Sequence, residues 1–119
     1  MNKRKLKIQY KQSLRPMGIF QVKNLSNGKI FIDSGLNLQG KINGCKFQLA
    51  LGSHINKELQ KDFNKTGVAN FSYKIVDILE PKEEIKNNDA DDLKMLEKIW
   101  IEKLQPFGDK GYNKPKNSK

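Results

Sequence analysis

The sequence predicts an α+β domain, a small antiparallel sheet of three strands flanked by helices in the order ββααβα. Three observations lead there. Residues 17–33 split into two β-rich runs around Asn27-Gly28, a pair suited to a turn that needs positive φ. Residues 54–65 place Ile55, Leu59 and Phe63 at four-residue spacing, with Lys57, Glu58, Lys61 and Asp62 left outside, which is helical periodicity. No segment repeats and no interdomain linker interrupts the chain, so its elements must cover one another in a single layered unit.

Pro16 opens the first strand, Met17-Gly18-Ile19-Phe20-Gln21-Val22-Lys23, and the second is Lys29-Ile30-Phe31-Ile32-Asp33. Residues 37–51 read as a helix with Leu38, Ile42, Cys45 and Leu49 on one face, weakened by Gly40 and Gly44. Gly52-Ser53 ends it and offers a cap for the helix over 54–65, which Gly67 closes. Phe71-Ser72-Tyr73-Lys74-Ile75-Val76-Asp77-Ile78 is the third strand. The polar stretch 81–92 leads into a last helix at about 90–104, stopped by Pro106 and Gly108. Residues 1–15 read as a basic lead-in with apolar alternation at Leu6, Ile8 and Tyr10. Residues 16–109 read as the domain and 110–119 as a basic tail.

At 119 residues the chain fits one domain. No apolar run approaches the roughly 20 residues of a membrane span, and no apolar core follows the basic N-terminus as export would require. Cys45 is alone, so neither an internal disulfide nor a cysteine-built metal site is available, and a reducing cytoplasm is the expected compartment. The net charge of +10 lies in the two ends. Residues 1–15 hold six basic groups and residues 110–119 four, neither with an acid, while 16–109 hold thirteen of each sign. Within that body, 16–78 is basic, with eight cations against four anions, and 79–109 is acidic, with five against nine. Such ends attract a polyanion without reading its sequence, which places nucleic acid ahead of a merely solubilising role.

One side chain resists a plain structural reading. On a wheel of about 100° per residue, Leu93, Leu96, Trp100, Ile101 and Leu104 share a sector, and Glu97 falls near its centre. A carboxylate there must find a partner, bind a cation or become neutral. His54, at an expected helix start and without a second histidine, reads as a cap or surface residue. Cys45 reads as a small core residue. Neither Ser34-Gly35 nor the scattered glycines form a nucleophile elbow or a phosphate loop, and the abutting middle helices make a poor helix-turn-helix.

Gly18-Ile19-Phe20, Lys23-Asn24, Asn27-Gly28-Lys29 and Phe31-Ile32-Asp33-Ser34 resemble the opening of the GIY-YIG nuclease family. Leu49 through Asn64 is similar to the region after the first helix in the subgroup of intron-encoded endonucleases. Glu97 through Pro106 and Gly111-Tyr112-Asn113 are similar to the family's last helix and closing asparagine. The resemblance spans about residues 17–113. It implies the same ββααβα plan and, for intact members, cleavage of DNA with one divalent metal, Mg2+ or Mn2+, held by a glutamate that aligns with Glu97. Asn113 matches the family's asparagine.

Five of the seven positions compared differ. Phe20 and Phe31 stand where the resemblance places tyrosines, keeping the ring and losing the oxygen that positions or deprotonates water. Lys41 replaces an arginine and loses its planar fork. Cys45 replaces a histidine, and Asp33 a glycine, setting a carboxylate near the expected phosphate. The expectation is a degenerate domain that binds nucleic acid, DNA ahead of RNA, as a monomer with little or no cleavage, through its ends and Lys41, Lys46, Lys57 and Lys61. Two alternatives stand beside it: a weak endonuclease with metal on Glu97 and Asp33, and an interaction module in which Lys41 and Glu97 form a buried pair.

Overall fold

A computed structural model describes residues 16–79 and 89–114. The basic lead-in and the polar loop before the last helix therefore fall largely outside the described residues, as does the end of the C-terminal tail. Strand β1 (Met17–Asn24) lies between β2 (Ile30–Gly35) and β3 (Phe71–Leu79), and both pairings are antiparallel. Gly28, with φ of 79°, makes the β1–β2 turn, where the Asn24 and Lys29 backbones close the hairpin at 2.9 Å. Gly18 is required for a different reason. A Cβ there would run into the carbonyl of Asp77 on β3, next to a register shift at Ile19/Phe20.

Helix α1 (Leu38–Leu51) starts at Asn37, whose side chain accepts from the Gly40 N–H, and ends at Gly52 in the left-handed region. Its buried residues are the expected four, Leu38, Ile42, Cys45 and Leu49. Helix α2 (Lys57–Thr66) begins three residues later than the periodicity predicts. Its cap is Asn56, which accepts from the Leu59 N–H, so Ser53 plays no capping role. Ile55 stands before the helix and is 82% exposed, while Leu59 and Gln60 are buried and Phe63 packs on Phe71. Residues 53–56 are occupied in carrying His54 inward, which leaves Ile55 facing water.

Helix α3 (Asp89–Leu104) covers the other face of the sheet. The result is three layers. Phe20, Val22, Phe31 and Phe71 pack under α1 and α2, whereas Ile19, Ile32 and Val76 meet Leu93, Leu96, Trp100, Ile101 and Leu104 of α3. Alternation along β1 and β2 dictates this division, because successive side chains point to opposite faces.

Gly111, Tyr112 and Asn113, assigned from the sequence to the tail beyond 109, are integral to the fold. Gly111 bridges Ile30 along the free edge of β2, and the Tyr112 N–H donates to the Ile30 carbonyl at 2.9 Å. The Asn113 amide then accepts from the Ile32 N–H and donates to the Ile32 carbonyl, both at 2.9 Å. Tyr112 is buried, accepting from Asn24 at 3.0 Å and donating to Asp62 at 2.7 Å.

Replacing Gly18 with alanine should lower the urea unfolding midpoint, by about 1–3 kcal/mol of stability, since a strand-to-strand backbone contact must open. An unchanged midpoint would show that the β1–β3 approach has slack.

Candidate active site

On the α1 side, β1 contributes Phe20 and Val22, and β2 contributes Phe31 and Asp33. Helix α1 lays Lys41 and Cys45 above them, one turn apart. His54 arrives from the α1–α2 connection and meets Phe31 edge-to-face with ring centroids 5.4 Å apart. The structure thus gathers Phe20, Phe31, Lys41, Cys45 and His54 about one sheet face. Phe20 is fully buried and Phe31 nearly so, in the same apolar cluster.

His54 is the residue the sequence reading misplaced. It is 4% exposed rather than superficial. Its Nδ1 accepts the Asn56 N–H at 3.0 Å, so the ring proton lies on Nε2, which sits 3.6 Å from the Cys45 Sγ. Burial lowers the ring's affinity for a second proton. A neutral imidazole whose basic nitrogen is already occupied is poorly placed to take a proton from water. Burial, reinforced by Asp33, pushes the Cys45 thiol up to about 11, so it is neither a nucleophile nor a ready metal ligand near neutral pH. The signal for His54 was present in the sequence, inside the stretch 49–64 that carries the family resemblance.

Asp33 is only partly exposed. Burial raises its carboxyl, while the Ser34 N–H at 2.8 Å and Lys41 favour the charged form. The Lys41 ammonium stands 3.8 Å from it with half of its side chain in water. Glu97 approaches from the α3 side and accepts the Ser34 hydroxyl at 2.7 Å. The Lys41–Glu97 pair entertained from the sequence is therefore not the contact made, because Lys41 meets Asp33 and Glu97 meets a hydroxyl. Asp33 and Ser34 are consecutive on β2, so Asp33 and Glu97 reach the strand from opposite faces and do not form the shared two-carboxylate arrangement. Among the described residues, no group of three His, Cys, Asp or Glu side chains converges. Asn113, matched to a family site position, has both amide atoms committed to the β2 backbone.

An open cleft of about 510 Å3 lies where β2 ends, lined by Ser34, Asn37, Gly40, Lys41, Leu93 and Lys94 among others. The four lysines expected to meet phosphates divide into two pairs. Lys41 is offset by Asp33, and the Lys46 ammonium lies 4.9 Å from the Tyr73 ring centroid. Lys57 and Lys61 stand exposed on α2 without an ion-pair partner among the described residues.

A three-layer ββααβα unit, with a helix-borne glutamate beside the edge strand and an asparagine clamping that strand near the chain's end, matches the plan that the resemblance implies. By 30% identity and near-complete coverage of a solved relative, the chain belongs to the GIY-YIG family. That relative is the catalytic domain of the homing endonuclease I-TevI, matched over 83% of this chain and 98% of that one with a TM-score of 0.66. A glutamate-to-alanine variant of the same intron endonuclease's catalytic domain matches at 26% identity, over 82% of this chain and 92% of that one, with a TM-score of 0.67. No family model matches the sequence, and neither does any curated protein.

Two outcomes follow from the buried pair. The unfolded His54 ring takes up a proton near its ordinary 6.5 and the folded ring resists it. Stability should hold above that pH and decline as pH falls below it, by at most about 1.4 kcal/mol per pH unit. Urea midpoints at pH 7.5 and 5.5 check this, and the decline between them should shrink in His54→Asn. Iodoacetamide at pH 8 should alkylate Cys45 slowly in the native chain and rapidly once urea has unfolded it. Equal rates would show an accessible thiolate.

Proposed function

We propose that this GIY-YIG domain binds nucleic acid, with DNA as the expected target, and cleaves it little or not at all. One observation carries the reading: the two positions that resemble the family's tyrosines are phenyl rings packed into the core beneath α1. Neither can orient or deprotonate a water. Their neighbours do not make up the loss, since Cys45 stays protonated, His54 has its basic nitrogen occupied, and Lys41 is offset by Asp33. Loss of a general base alone costs a factor of roughly 10² to 10⁴.

GIY-YIG nucleases are typically dependent on a divalent metal, and the side chains of the described residues do not fit a protein-built cage for one. Glu97 offers one carboxylate beside a hydroxyl, and Asp33 lies on the other face of the strand. Mg2+ can be held by one carboxylate together with substrate phosphates, which keeps a second reading alive: weak Mg2+- or Mn2+-dependent nicking centred on Glu97.

Nicking of supercoiled plasmid in Mg2+ and in Mn2+ separates the two. Purified wild type and Glu97→Ala should both leave the plasmid essentially intact. Cleavage by wild type that disappears in Glu97→Ala would overturn the degenerate reading and establish the weak endonuclease.

A further inference from the structure

We infer that the domain grips a nucleic-acid backbone with the outer face of α2, away from the degenerate site. The inference rests on the nucleic-acid reading above and places the contact surface within it. Lys57, Lys61 and Lys65 recur every fourth residue along α2, all exposed. Four helical residues rise about 6 Å. That is close to two nucleotide steps of B-form rise at roughly 3.4 Å each. The ridge therefore presents cations at a repeat that a phosphate chain can follow.

The acids on the same helix are turned to other uses. Glu58 pairs with Lys29 at 3.0 Å, and that lysine is largely buried with its ammonium 4.9 Å from the Tyr112 ring centroid. Asp62 accepts the Tyr112 hydroxyl at 2.7 Å. Both carboxylates keep their charge but are held by these other partners, and none of the three lysines has an ion-pair partner among the described residues. Helix α1 and its connection to α2 add no opposing charge, because residues 34–57 contain no Asp or Glu. The opposite layer would repel a polyanion, since residues 89–104 hold five acids against three lysines. At the site itself, the Asp33 carboxylate stands 3.8 Å from the Lys41 ammonium and offsets its charge.

Contacts of this kind bind every sequence alike and release counterions, each contributing about 0.9 to the slope of log K against log salt on duplex DNA. The test is fluorescence anisotropy of the full chain with a labelled 20-base-pair duplex across a salt series. It compares wild type, the triple variant Lys57→Gln/Lys61→Gln/Lys65→Gln, and the charge-matched triple Lys74→Gln/Lys98→Gln/Lys103→Gln. The α2 triple should weaken binding equally on two unrelated sequences and flatten the slope by about 2–3 relative to the matched triple. The basic ends are common to all three proteins and cancel in the comparison. If wild type binds and the two triples behave alike, the α2 assignment fails while nucleic-acid binding stands. If wild type does not bind even at low salt, the parent reading fails with it. All six lysines stand at the surface, and matching circular dichroism with coincident melting confirms that folding is not what changed.

Discussion

Strand β2 is held along its outer edge by a side-chain amide. Asn113 takes the N–H of Ile32 and returns a bond to its carbonyl, while Gly111 and Tyr112 occupy the positions just before it. This clamp supplies the partners that a sheet edge otherwise leaves open to other chains. It also fixes register, and register decides the chemistry. A slip of one residue would exchange Phe31 and Asp33 for Ile32 and Ser34 beneath α1. Asn113, which resembles the family's closing asparagine, thus holds the strand that carries Asp33 and Ser34.

With β2 so fixed, the sheet sorts its polar groups into two half-sites. One face joins Asp33 to Lys41 beneath the start of α1, and the other joins Ser34 to Glu97 on α3. The first of these faces also holds an apolar pack of Phe20 and Phe31 with a protonated Cys45 and a neutral His54. Each of these states follows from burial. Desolvation penalises a thiolate and an imidazolium alike, so one enclosure keeps both groups uncharged.

The fold was legible in the sequence because its signals are local. The Asn27-Gly28 turn and its flanking β-rich runs specify the hairpin, and Leu38, Ile42, Cys45 and Leu49 mark the inner face of α1 without help from elsewhere. Glu97 was legible for the same reason, since a wheel needs only its own helix. What escaped depends on contacts between distant elements. Ile55 fits a helical spacing, yet Asn56 is the better cap and donates as well to the Tyr112 carbonyl, which moves the helix start past Ile55. His54 is drawn inward by a backbone amide and by Phe31, neither visible as a pattern around it. The partners of Lys41 and Asn113 are likewise settled only when separate strands and helices meet.

The bonds of Tyr112 carry a consequence for the order of assembly. Its hydroxyl joins Asn24 at the end of the first strand to Asp62 in the second helix, and the adjoining amide of Asn113 seals the hairpin's free side. Each of these links spans fifty residues or more. A chain emerging during synthesis can form the hairpin and the middle helices early, but it cannot close the layer beneath them until residue 113 has been made. Such long-range closure is slow because loop entropy must be overcome before the contacts exist to repay it. Until then, the nascent domain would display an open strand edge and an unfilled hydrophobic slot.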